Sequence, residues 1–204
     1  MLLRDRAFVG YALTSGLVLG AMFAYIAGSP FVFTQLYGLS TQQYGLLFGL
    51  NASGLIAASQ LNNRLLLPYS FSQILRGVTL VALLAGLALW GQARTGWGGF
   101  YGLEVPLFVV VSCVGLASPN ATAGALQRHA AHAGSAASLL GTLSYGCGTL
   151  AALATSALAD GTARPMALVV ATCGVLACGL YHWLVGPAAP EPASEMVPTD
   201  SLIG

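Results

Sequence analysis

Very few residues in this sequence could do chemistry, and several of those few lie inside long apolar runs: Tyr25, Asn51, Glu104, Asn120 and Tyr145. An amide or phenol at membrane depth is expensive to keep unless it binds a ligand or ties helices together. Both roles are open for Tyr25, Asn51, Asn120 and Tyr145. Glu104, just before Pro106, is the one carboxylate placed to sit within such a run. Its position near the end of the run reads first as an interfacial charge. The second reading is a proton-coupling acid, since a carboxyl on a cavity-lining helix is where a proton can be held and released. Gln35 and Gln60, nearer the ends of their runs, read as interfacial.

Other patterns look sharper than they are. Asn51-Ala52-Ser53 and Asn120-Ala121-Thr122 match the glycosylation sequon but lie at membrane depth, out of reach of a glycosylating enzyme. His129 and His132 have helical i, i+3 spacing without a carboxylate or thiolate beside them in sequence, which is a poor metal site. Cys113, Cys147, Cys173 and Cys178 sit in apolar runs without CxxC spacing and read as packing residues. Asp160-Gly161-Thr162-Ala163-Arg164 resembles the core of the CDP-alcohol phosphotransferases, integral membrane enzymes. That signature needs an aspartate where Ala157 stands and two more on the following helix, and 165–185 contains no acid. Divalent metal chemistry requires those oxygen ligands. No catalytic residue, no metal site and no enzyme activity are therefore expected.

The elements that must position these residues follow from composition. The chain is 56% hydrophobic and only 6% charged, with seven Arg, no Lys and a net charge of +1. Its mean hydropathy of +0.78 is that of an integral membrane protein. Such a surface offers nothing to nucleic acid. A bilayer core of about 30 Å needs about 20 helical residues, and the charged residues divide the chain into six spans, about 7–37, 41–61, 74–91, 100–127, 134–158 and 165–185. Residues 1–6 precede the first span, and 187–204, rich in Pro, Ala and Glu, read as a disordered tail. Ser40 and Gln43 form an S-x-x-Q capping box that opens the second span.

Arg4, Arg6, Arg64, Arg76 and Arg128 fall on one side and Arg94 and Arg164 on the other, which places both termini in the cytoplasm. Tyr37, Tyr44, Tyr69, Trp90, Trp97, Tyr101, Tyr181 and Trp183 flank the spans as an interfacial belt would. The Gly16/Gly20 and Gly45/Gly49 pairs are of the small-xxx-small type and read as packing surfaces.

Spans one and four are both long and both interrupted late by Ser-Pro, at Ser29-Pro30 and Ser118-Pro119. Each proline leaves the carbonyl four residues back, Ile26 or Gly115, without its helical donor, so a kink is expected. Backbone freed at membrane depth must face packed protein or a watery cavity. Interrupted segments at corresponding places in two halves are a sequence pointer to a transporter's binding site. The expected fold is therefore an all-α membrane bundle of two inverted three-helix repeats.

Several ordered motifs carry a resemblance. They are Phe8-Val9-Gly10-Tyr11-Ala12-Leu13, 22–33 with its Gly28-Ser29-Pro30, 44–51 ending at Asn51, Ser59-Gln60-Leu61-Asn62, Ser118-Pro119-Asn120-Ala121-Thr122-Ala123, 133–137 and Leu139-Leu140-Gly141. Together they resemble the Bcr/CflA multidrug-resistance family of the major facilitator superfamily over about residues 4–186. The resemblance implies the C-terminal half of a twelve-helix drug:proton antiporter of the bacterial inner membrane, with residues 1–6 in its cytoplasmic linker. It also implies spans one and four lining the cavity, spans two and five contributing to it, and spans three and six facing lipid. The substrates would be small hydrophobic drugs, the energy source a proton gradient with no cofactor, and the partner an N-terminal six-helix half in the same or a separate chain. Tyr25, Pro30, Asn51, Pro119, Asn120 and Tyr145 would shape the cavity, with Glu104 as a candidate coupling acid. The competing expectation is a non-transporting truncated or assembly-partner module.

Overall fold

The computed structural model describes residues 2–127, 129 and 132–186. Met1, Arg128 and the expected tail 187–204 lie outside the described residues. Among these residues there are six α-helices and no strand: α1 (Arg6–Phe31), α2 (Thr41–Leu65), α3 (Phe71–Thr95), α4 (Gly99–Gln127), α5 (Ala133–Ala157) and α6 (Arg164–Leu180). α1 and α6 each run on into a widened π-helical turn, Val32–Leu36 and Tyr181–Val185. α1 with its extension, α3, α4, α5 and α6 with its extension are long and apolar enough to cross a membrane. α2, at 25 residues, has the length, about 37 Å at 1.5 Å per residue. It carries more amide and hydroxyl side chains than the other five.

Local chemistry sets the helix ends. Asp5 caps α1, its Oδ1 accepting from the N–H groups of Ala7 and Phe8 at 2.9 and 3.4 Å. The capping box at the start of α2 is complete: Ser40 N–H donates to Gln43 Oε1 at 2.9 Å and Gln43 N–H to Ser40 Oγ at 3.3 Å. The same S-x-x-Q pattern recurs at Ser70 and Gln73, with distances of 3.0 and 3.3 Å, and opens α3 ahead of the expected start at 74. Gly96, at φ +69°, closes α3 in the left-handed conformation that favours glycine. Replacing Ser70 by Ala should cost about 1 kcal/mol, a drop of about 2–4 °C in the unfolding midpoint of the detergent-purified chain. An unchanged midpoint would show that the box contributes nothing.

α1 and α4 form the centre. α1 packs along α5, α6 and α4, and α4 along α3, α1 and α2, while α3 and α6 pack on each other. The α1–α5 contact uses Gly16, where an added Cβ would come within 3.0 Å of Ser144 Cα and 3.1 Å of Cys147 Sγ. Gly45 and Gly49, expected to pack, have nothing within 4 Å of such a Cβ. The α2–α4 seam is made instead by Gly54, against Phe108 and Ser112, and by Gly115, against Leu55, Ala58 and Ser59. Cys113, Cys173 and Cys178 are buried, Cys147 partly so, and all four are free thiols.

α4 runs through Pro106 and Pro119 as one helix, so no break separates its halves. In both Ser-Pro segments a threonine hydroxyl takes up a nearby carbonyl: Thr34 donates to Pro30 O at 2.7 Å and Thr122 to Ser118 O at 2.8 Å. Tyr181, expected in the interfacial belt, is 1% exposed. Its hydroxyl donates to Ser72 O at 2.7 Å and lies 2.8 Å from Ser72 Oγ, and Tyr11 OH donates to the same Oγ at 3.4 Å. That cluster fastens α1, α3 and the end of α6 together. Trp97 and Trp183 do stand at the surface, 77% and 79% exposed.

Candidate functional site

Tyr25, Asn51, Asn62, Glu104 and Asn120 lie on the seam where α1, α2 and α4 meet. Asn51 Nδ2 donates to Glu104 Oε1 at 2.7 Å and to Tyr25 OH at 3.3 Å, which links all three helices through one amide. Its two hydrogens are shared with a third acceptor, Leu47 O at 3.2 Å, one turn back on its own helix. Tyr25, Asn51 and Glu104 are 2%, 1% and 5% exposed. Glu104 is thus a carboxyl covered by protein, hidden by the close α2–α4 approach. Phe48 stacks on Tyr25 with centroids 5.9 Å apart. Ser29 Oγ lies 2.9 Å from Tyr44 OH and gives α1 and α2 a second link.

A second polar tie crosses the same α2–α4 seam further along both helices. Asn120 Nδ2 donates to Asn62 Oδ1 and, at 2.7 Å, to Leu116 O. Both pairings run in the same chain direction, Asn51 with Glu104 and Asn62 with Asn120, so α2 and α4 are parallel. Asn62 stood within one of the resembling motifs but was not singled out for chemistry. Its signal was available, because Asn51 and Asn62 are eleven residues apart, three helical turns, and so share one face of α2.

The structure therefore brings together three of the residues expected at the site, Tyr25, Asn51 and Glu104, and joins Asn120 to Asn62. Pro30 and Pro119 are exposed at the bundle surface. Tyr145 on α5 is 63% exposed, its ring edge-on to Phe23 with centroids 6.3 Å apart. His129, weighed as a metal ligand, instead places Nε2 2.9 Å from Asp5 Oδ2 and packs edge-on against Phe8. The Asp160 loop folds on itself, Asp160 Oδ1 accepting from the Thr162 hydroxyl at 2.6 Å and from its N–H at 2.9 Å.

Ionisation separates the carboxyl from the amide tie. An interhelical polar contact in a membrane protein contributes about 0.6 kcal/mol on average, which suits the Asn62–Asn120 pair. Leaving a buried polar atom unpaired costs about 1–3 kcal/mol. Glu104 Oε2 and Asn51 Oδ1 are both buried without a hydrogen-bond partner among the described residues, as is Asn120 Oδ1 in the second tie. No Arg or His lies within 4 Å of the Glu104 carboxyl among those residues. Of the two ties, only this one contains an ionisable group. Both of its orphaned atoms are acceptors, and a single proton on Glu104 supplies the kind of donor that they lack.

No protein-family model matches the chain. It is 31% identical over 175 residues to an uncharacterized MFS-type transporter, YdgK, of Bacillus subtilis, a match covering 86% of this chain and 43% of that protein. It is 27% identical over 184 residues to a bicyclomycin resistance protein homolog of Haemophilus influenzae, covering 90% of this chain and 46% of the relative. The chain spans a little under half the length of each of these curated relatives. The resemblance carried by the sequence motifs and these two matches agree: the chain is a homologue of an MFS-type transporter and of a bicyclomycin resistance protein homolog, matched over a little under half the length of each.

Proposed function

We propose that this bundle is the C-terminal half of a secondary active transporter that exports small hydrophobic drugs in exchange for protons. Its place is the bacterial inner membrane, with all six helices crossing it and both termini in the cytoplasm. The observation that carries the reading is the buried Tyr25–Asn51–Glu104 cluster in a homologue of transporters: a carboxyl held among three helices without a basic partner, with two acceptors awaiting one donor. Protonation of Glu104 closes that hydrogen-bond deficit and tightens the α1–α2–α4 seam, and deprotonation reopens it. A ligand bound next to the seam thereby exchanges with a proton, because each favours a different arrangement of the same helices.

Two further observations support the architecture that this requires. α1 packs on α5 as α4 packs on α2, and α1 on α6 as α4 on α3, the exchange pattern of two inverted three-helix repeats. The exposed surfaces of α2 and α5, carrying Leu46, Leu50, Gly45 and Gly49 on one and Tyr145 on the other, are where an N-terminal six-helix half would close the cavity. In that assembly Pro30, Pro119 and Tyr145 face the shared cavity, while Tyr25, Asn51 and Asn120 set its wall.

The test is reconstitution of the native transporter that contains this chain into proteoliposomes with a pH-sensitive dye inside. Ethidium or bicyclomycin, added as probe, should drive proton movement across the vesicle membrane. Movement with neither probe, in protein that is folded and correctly inserted, would sink the transporter reading in favour of a non-transporting module. Movement with bicyclomycin but not ethidium would keep transport and overturn the hydrophobic substrate class.

A further inference from the structure

At the end of the bundle opposite the termini, a cleft of about 390 Å³ opens between the last turn of α3 and the first turn of α6. Trp90, Arg94, Leu158, Asp160, Arg164 and Leu168 line it. Among the described residues Arg94 and Arg164 are the two arginines at this end; Arg4, Arg6, Arg64 and Arg76 lie at the other. Both converge on the one cleft. Arg94 lies over the Trp90 ring, 5.0 Å from its centroid. Neither guanidinium has a carboxylate within 4 Å among the described residues. Asp160 adds a single negative charge, held ionised because the Thr162 hydroxyl draws its carboxyl below the usual range.

Three unfavourable terms meet here. Two guanidiniums share a small cleft, with mutual repulsion only partly offset by one carboxylate. Arg164 stands in the first turn of α6, the positive end of the helix dipole. In the proposed orientation both arginines also lie on the side where positive charge is disfavoured. An anion in the cleft would reverse the first two terms. The floor narrows the choice, because Leu158 and Leu168 are 52% and 42% exposed. Beyond them the α3 and α6 surface continues apolar through Leu87, Leu84, Leu176 and Val175. An anionic head with an apolar tail fits both parts, and Trp90 sits at the boundary where indole rings favour the membrane interface.

We propose that the cleft between α3 and α6 binds an anionic phospholipid, its phosphate held by Arg94 and Arg164 and its acyl chains lying along the outer face of α3 and α6. The site is separate from the Glu104 cluster and does not depend on the transport reading.

The chain has three tryptophans, Trp90, Trp97 and Trp183. In the full 204-residue chain carrying Trp97→Phe and Trp183→Phe, Trp90 becomes the sole reporter. Reconstituted with brominated phosphatidylglycerol in a phosphatidylcholine background, Trp90 should be quenched well beyond the level seen with brominated phosphatidylcholine. Each arginine should contribute roughly five-fold to the preference, so Arg94→Gln with Arg164→Gln should abolish it. Arg94→Lys with Arg164→Lys, which keeps the charge, should retain most of it and shows that the bundle tolerates change at both positions. Equal quenching by the two lipids in the parent, or a preference that survives the double glutamine change, overturns the proposal. Millimolar inorganic phosphate that erases the preference would assign the cleft to a soluble anion and also overturn it.

Discussion

Glu104→Gln in the complete transporter should abolish substrate-driven proton movement and weaken ligand binding while leaving the protein folded. Glutamine has the shape of the protonated acid. Its carbonyl can accept from Asn51 Nδ2 as Oε1 does now at 2.7 Å, and its amide brings a donor into a cluster where Asn51 Oδ1 has none. Filling a buried orphan recovers about 1–3 kcal/mol, so the variant should unfold no earlier than the parent, and later if the new bond forms. What glutamine cannot do is release a proton. Ethidium binding, the unfolding midpoint and proton movement are to be measured on one preparation. Weakened ethidium binding at a retained midpoint, with proton movement reduced to the level of empty vesicles, is the expected pattern. Full proton movement in the variant would remove Glu104 from the coupling mechanism, and transport itself would stand.

The second large effect is expected from Gly115→Val. A Cβ at Gly115 would run into the Leu55 carbonyl and stand 3.0 Å from Ser59 N, both backbone atoms of α2 that no rotamer change can move. Relief requires α2 to lift off α4. Lifting it breaks the Asn51–Glu104 and Asn62–Asn120 bonds, which cross the same seam on either side of Gly115. Overpacking alone costs about 1–3 kcal/mol, and more where backbone must separate. The variant should therefore be recovered poorly as a monodisperse species after detergent extraction, and any folded fraction should lose ligand binding. Gly179→Val on α6 is the matched control, since a Cβ there meets nothing within 4 Å. Equal recovery and equal midpoints for the two variants would show that the seam is not close-packed.

How far the sequence reaches is visible in pairs of similar features. The Ser40–Gln43 box could be read because its two partners are three residues apart and need nothing else in the molecule. The Ser70–Gln73 box is the same local pattern, and it moves the start of α3 to Phe71, ahead of the apolar run at 74. Asn51 was identifiable as a costly polar residue at depth, but its partners, 26 and 53 residues away, were not. Glu104 shows the limit most plainly. Distance from the end of a span suggested an interfacial position, yet burial depends on what covers that face, and α2 covers it.

Glycine pairs make the same point. Gly16/Gly20 and Gly45/Gly49 have the same spacing, and the first packs against α5 while the second meets no side chain or backbone of this bundle. Gly54 and Gly115, on separate helices, form the α2–α4 seam without any shared sequence pattern. A soluble helix would reveal its packed face through an apolar stripe, but helices apolar all round carry no such stripe.

The sequence by itself determined what depends on neighbours in the chain: membrane character from composition, the number of helices from apolar runs, helix starts from capping residues, and kinship from ordered motifs. Tertiary structure alone decided which helix faces meet. It set Tyr25, Asn51 and Glu104 in one cluster, buried Tyr181 against Ser72, and left Tyr145 on the surface. The physical reason is that hydrogen bonds within a helix turn are fixed by spacing. Contacts between helices are chosen by close packing across a whole surface, and a uniformly apolar surface writes no address for its partner.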